Sequence, residues 1–155
     1  MLNSTQLIDY VIKPVLMALD LYSNEAEQQM VGTGLMESGF TFIAQTPYAV
    51  ALGLWQMEQA TYTDLLQRLQ KKADLYTKVK ECLGLDVLPE KYDYLAGNMY
   101  AACTFARLKY YFIPQPIPKT LVEQARYWSQ YYNTKNNPDD IQKYINKYRT
   151  SLGLG

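Results

Sequence analysis

Residues 24–40 read NEAEQQMVGTGLMESGF. Asn24 opens this stretch as an N-cap, and Glu27 three residues later completes a capping box. Gly39 closes it, because glycine enters the left-handed conformation that ends a helix without steric cost. A helix from Asn24 to about Ser38 places Ala26, Met30 and Gly34 on the same face as Glu37. Glu37 then lies in the last turn of a helix, on its apolar side.

The helical period extends in both directions. Upstream, Thr5 to Tyr22 carries Leu7, Val11, Val15 and Leu19 on one face, with Pro14 expected to kink or split the helix. Phe40 to Leu52 has no clean period and contains Pro47, so a loop is expected, with room for a short extended piece. Thr61 caps a long helix with the stripe Tyr62, Leu65, Leu66, Leu69, Ala73 and Tyr76, ending near Leu83-Gly84. A polar connection, Asp86 to Lys91, precedes a helix with Leu95, Met99, Cys103, Ala106 and Tyr110 on one side. Pro114, Pro116 and Pro118 impose an extended linker. Thr120 restarts a helix with Leu121, Ala125, Trp128 and Tyr132. Asn136-Asn137-Pro138 breaks it, and Asp139 begins a last helix ending near Leu152. The fold class predicted is all-α, a single domain over 1–155 with six or seven helices and an irregular loop at about 40–57.

Composition narrows the chemistry. Of 155 residues, 48% are hydrophobic and 19% charged, which excludes a disordered chain. Fifteen basic and fifteen acidic side chains cancel, so no global basic field attracts nucleic acid or an anionic membrane. The tail cations Lys143, Lys147 and Arg149 read as a solvated helix face. There is no histidine, which removes His-dependent triads and imidazole metal ligands. No metal-binding, P-loop or dinucleotide motif is present, and no metal or cofactor is expected. Cys82 and Cys103 form no C-x-x-C and read as buried free thiols, with a bridge between them as the alternative. No signal peptide is visible, and the broken stretch Val11 to Leu21 is too short to span a membrane, so synthesis in a cytoplasm is expected. Fifteen tyrosines, ten of them after Lys78, suit either amphipathic packing or an aromatic groove for sugar rings or a protein partner.

Glu37 is the leading candidate for chemistry. An apolar face and the negative end of the helix dipole both disfavour its charged form, as a general acid near neutral pH requires. The competing reading is a helix-end glutamate in solvent or paired with a cation.

Glu37-Ser38-Gly39-Phe40 is followed, sixteen residues after the glutamate, by Gly53-Leu54-Trp55-Gln56-Met57 and then Ala60-Thr61. This pattern resembles the soluble lytic transglycosylase family of the lysozyme-like superfamily, with its E-S-x-F and G-L-M-Q-h-M-P-x-T motifs. Tyr131-Tyr132-Asn133-Thr134 is a looser counterpart of the family's A-Y-N-A-G. Trp55 stands where methionine is common and Glu58 where proline is common. The resemblance spans roughly 24–148, leaving 1–23 as an N-terminal helical extension to a lysozyme-like core. It implies that Glu37 is the catalytic acid/base, that Ser38 and Gln56 line the sugar cleft, that Tyr132 orients the glutamate, and that Asn133 contacts saccharide. It further implies cleavage of peptidoglycan glycan strands between N-acetylmuramic acid and N-acetylglucosamine, with a 1,6-anhydro product and no cofactor. The partners expected are those strands, with neither nucleic acid nor membrane insertion.

Two alternatives accompany this reading. Glu58, two residues past Gln56, is either a helix-start charge or a second catalytic carboxylate that would make the enzyme a muramidase. The second alternative is a non-catalytic interaction protein built into a bacteriophage virion or tail. A signal-less wall enzyme reaches its substrate through a lysis pore or inside a virion. In the virion case other virion proteins are expected partners, docking on the tyrosine-rich second half and the Pro114–Pro118 strap.

Overall fold

Pro14 has no N–H to donate, and the first helix absorbs it with a π turn instead of a break. In the computed structural model, which describes residues 1–45, 50–133, 135 and 137–155, α1 (Ser4–Leu7) continues through a π turn (Ile8–Ile12) into α2 (Lys13–Ala18). The three pieces form one rod, and Leu7, Val11, Val15 and Leu19 on its predicted face are all buried. Pro47, Thr134 and Asn136, each singled out from the sequence, lie outside the described residues.

Ser23, not Asn24, caps α3 (Asn24–Glu37), its Oγ accepting from the Ala26 N–H at 3.0 Å. The expected capping box does not form, because with Ser23 at the cap Glu27 falls one position past the box; the Tyr22 hydroxyl lies 3.0 Å from Glu27 Oε1 and 3.3 Å from Asn24 Oδ1. The far end matches the reading: Gly39 is left-handed at φ 62°, and its N–H donates to the Gly34 carbonyl at 3.1 Å. Two glycines let α3 run through the middle of the molecule. A Cβ on Gly32 would overlap the Tyr144 ring, and one on Gly34 would overlap the Phe40 ring.

The expected loop at 40–57 contains a small hairpin. Strand β1 (Ala51–Leu52) pairs antiparallel with β2 (Met57–Glu58), Ala51 opposite Glu58 and Leu52 opposite Met57. Pairing so short has no periodic signature to read. It is held from outside, as the next subsection describes.

The single long helix expected from Thr61 is two, and it starts at Gln59 with Glu58, not Thr61, at the N-cap position. α4 (Gln59–Leu69) and α5 (Ala73–Leu83) are separated at Gln70-Lys71-Lys72. No proline or glycine forces this break. Both pieces pack on α6 (Met99–Tyr111), burying Tyr62, Leu65 and Leu69 from one and Leu75 and Val79 from the other. Tertiary burial outweighs the small propensity favouring a continuous helix. Gly84 ends α5 in the left-handed region at φ 65°, as expected.

Leu95 belongs to a separate 3-10 turn (Tyr92–Leu95), because Asn98 caps α6 through its side chain. Met99, expected on the buried stripe, is exposed at the first position of α6. Thr120 caps α7 (Leu121–Tyr131) as predicted, and α8 (Asp139–Ser151) completes the chain. Counting α1–α2 as one, the described residues form seven helical rods and one hairpin in a single domain. The Ser4 and Ser151 hydroxyls hydrogen-bond to each other, tying the first rod to the last.

Most tyrosines serve packing. Tyr110 and Tyr144 are fully buried, and Tyr127 keeps a buried ring while its hydroxyl donates to the Gln115 carbonyl at 2.6 Å. Both thiols are free, Cys103 buried and Cys82 half-buried. Among the described residues no helix is long and apolar enough to cross a membrane.

Candidate functional site

The end of α3 and the hairpin turn are built as one unit. Trp55 is fully buried, its indole N–H donating to the Met30 carbonyl of α3 at 2.8 Å. The bare Gly34 leaves room for Phe40, which meets Trp55 edge-to-face at 5.8 Å. The Ser38 hydroxyl donates to the Leu54 carbonyl at 2.7 Å and accepts the Phe40 N–H at 3.0 Å. The turn itself needs two left-handed residues, Gly53 at φ 82° and Gln56 at φ 51°. Gln56 is held in that strained conformation by its carboxamide, whose NH2 donates to the carbonyls of Gly53 at 2.9 Å and Ile43 at 3.0 Å. Tyr132 closes the arrangement from the end of α7, its hydroxyl donating to the Trp55 carbonyl at 2.6 Å. All three sequence segments thus meet at one place, through 77 residues of separation in the Tyr132–Trp55 pair.

A cleft of about 710 Å³ opens over this unit. Glu37, Gln56, Glu58, Tyr132 and Asn133 all line it, together with Lys109 of α6. The Gln56 NH2 is engaged in the turn, so its Oε1 is the atom left to accept a hydrogen bond from a ligand. Asn133 Oδ1 accepts the Lys135 N–H at 3.3 Å at the rim.

Glu37 is half-buried at the cleft wall, with Trp128 Nε1 donating to its Oε2 at 3.1 Å. Burial drives its carboxyl upward. The Trp128 hydrogen bond and the nearby Lys109 and Lys135 cations pull it back, while Asp140 adds a further push upward. Burial wins, and the group is raised from 4.5 to about 7. A carboxyl with that affinity holds and releases a proton near neutrality, the property a general acid/base needs.

Two expected roles are corrected by the geometry. Ser38 does not line the cleft; it is buried, its hydroxyl donating to the hairpin turn at Leu54 and accepting the Phe40 N–H just past the helix end. Tyr132 lines the cleft but does not orient Glu37, because its hydroxyl is given to the Trp55 carbonyl. The group that orients Glu37 is Trp128, which sequence reasoning had placed in the core stripe of its helix. The available signal was chemical: a buried indole N–H requires an acceptor.

Glu58 precedes α4 and is exposed, with no capping hydrogen bond from its side chain, and its carboxylate faces the same cleft as Glu37. Lys109 was missed altogether. Its Nζ donates to the Tyr132 carbonyl at 3.0 Å and lies 4.0 Å from the centre of the Tyr132 ring. The sequence offers little signal for it, since Lys109 stands beside the stripe residue Tyr110 in a helix that also carries Arg107.

No protein-family model matches this chain, nor does any curated protein or solved structure.

Proposed function

We propose that the protein cleaves peptidoglycan glycan strands at the bond from N-acetylmuramic acid to N-acetylglucosamine, with Glu37 as the single acid/base of a lytic transglycosylase. The observation behind this reading is the Glu37 carboxyl, raised to about 7 on the wall of an open, polar cleft and held by a neutral indole donor. Protonated Glu37 donates to the bridging oxygen as the glycosidic bond breaks. The resulting carboxylate takes the proton from the muramoyl 6-hydroxyl as that oxygen bonds to the anomeric carbon, so a 1,6-anhydro end forms and Glu37 is returned protonated. Proton transfer of this kind supplies ~10²–10⁴-fold acceleration. The remainder of the rate falls to sugar distortion and to polar groups in the cleft, of which Gln56 Oε1 and Asn133 are candidates.

One observation favours a second reading of the chemistry. Glu58 lines the same cleft as Glu37, and paired carboxylates flanking a glycosidic bond are the usual arrangement for hydrolysis. Digestion of purified peptidoglycan followed by mass analysis of the muropeptides distinguishes the two. Anhydro ends, lighter by one water than hydrolysed ends, are the expected result. Hydrolysed ends would make the enzyme a muramidase, and an undigested wall would remove the enzymatic reading. Carriage to the wall inside a virion remains part of the proposal: the chain should then appear at fixed copy number in gradient-purified particles.

A further inference from the structure

Lys109 projects from α6 into the cleft wall that also carries Glu37 and Tyr132. Its stem is half-buried, and its ammonium is fixed from one side, by the Tyr132 carbonyl at 3.0 Å and the face of the Tyr132 ring at 4.0 Å. A carbonyl and a ring face supply no counter-charge. Among the described residues no carboxylate lies within ion-pairing distance of it, although Glu37 and Glu58 line the same cleft. An ammonium has three donors, and the Tyr132 carbonyl occupies one. Holding an unpaired cation partly out of water is unfavourable unless something answers it. Its burial disfavours the charged form, while Glu37 and Glu58 in the cleft favour it.

We propose that Lys109 is the seat for a carboxylate carried by the muramoyl sugar, so that the cleft selects acidic glycan over neutral glycan. This rests on the saccharide reading of the cleft. N-acetylglucosamine has no ionisable group. The muramoyl residue carries a lactyl substituent, whose carboxylate is free on strands stripped of their peptides, and intact stem peptides carry carboxylates further out. The fixed ammonium, with two N–H donors unspent beside the proton-donating glutamate, matches a carboxylate next to the bond to be broken. The exposed Lys135 at the rim adds to the same positive side of the cleft.

The test is equilibrium binding to the full chain carrying Glu37→Gln, which holds glycan without turning it over. Three probes of equal length are compared at low and high salt: stripped glycan with free lactyl carboxylates, stem-bearing glycan, and an oligomer of N-acetylglucosamine alone. Stripped glycan should bind roughly tenfold more tightly than the neutral oligomer, as a charge-assisted hydrogen bond implies. The advantage should shrink with salt and vanish when Lys109→Met is added. Lys109→Gln, which retains a donor for the Tyr132 carbonyl, should lose it equally, so a folding defect in the methionine variant does not decide the matter. If stem-bearing glycan shows the Lys109-dependent advantage in place of stripped glycan, the carboxylate recognised is the peptide's and the seat stands. Equal binding of acidic and neutral oligomers, or an advantage that survives Lys109→Gln, overturns the inference while leaving the saccharide cleft intact. No binding of any oligomer overturns both.

Discussion

Replacing Glu37 by glutamine should stabilise the fold in mildly alkaline buffer. Burial raises this carboxyl from 4.5 to about 7, so the folded state binds the proton more tightly than the unfolded chain does. Its contribution to stability is therefore fully present below about pH 4.5 and is lost as the pH rises through about 7. A gap of about 2.5 pKa units corresponds to ~3 kcal/mol at 1.36 kcal/mol per unit. Glutamine has no charge to strip of water and still offers an oxygen to the Trp128 N–H. At pH 8, Glu37→Gln should exceed the wild type by ~3 kcal/mol, or ~6–12 °C in Tm for a chain of this length. At pH 4.5 the two should nearly coincide. Every other titrating group is common to both proteins, so the difference between their melting curves isolates this carboxyl. Thermal unfolding followed by circular dichroism at the two pH values is sufficient. Equal Tm values at pH 8, or a gap that fails to widen between pH 4.5 and 8, would refute the argument that Glu37 is held in a desolvating site.

Trp128→Phe removes a hydrogen bond that favours the Glu37 carboxylate, and should raise that carboxyl further. The basic limb of the activity profile should move to higher pH with it, and an unchanged limb would mean that the indole only packs. Glu58→Gln should spare most activity and cost at most ~1 kcal/mol in urea unfolding, since its side chain makes no capping hydrogen bond. Activity lost by orders of magnitude would favour the two-carboxylate mechanism. Gly34→Ala forces a methyl into the Phe40 ring and should destabilise by ~1–3 kcal/mol, with loss of activity because the same ring braces Trp55 in the hairpin turn that packs on the Glu37 helix. A fully stable, fully active alanine variant would show that the helix end and the hairpin are not one mechanical unit.

Helix ends are legible where they carry their own punctuation. Thr120 and Gly84 mark helix ends by local chemistry, and the structure keeps both. The elements that were not legible are those fixed from a distance. The β1–β2 pairing is held by Ser38, Trp55 and Tyr132 through bonds that no local pattern reveals. The split between α4 and α5 has no breaker residue and follows from burial of both pieces on α6. Glu37 could be identified because two local effects, helix face and helix end, pointed the same way. Its partner Trp128 could not, since the pair spans 91 residues and an indole in a stripe reads first as core. The substrate role of Ser38 comes only from the motif resemblance, whereas its hydroxyl braces the backbone of the hairpin turn.

The central claim is that Glu37 moves the proton in glycan cleavage, and a paired rate measurement tests it most directly. Wild type and Glu37→Gln, matched for folded fraction by their melting curves, are incubated with purified peptidoglycan near neutral pH, and new glycan ends are counted over time. The wild type should release ends continuously and the glutamine variant should fall by at least the ~10²–10⁴-fold that acid/base catalysis contributes. A folded glutamine variant that releases ends at the wild-type rate would contradict the assignment of Glu37.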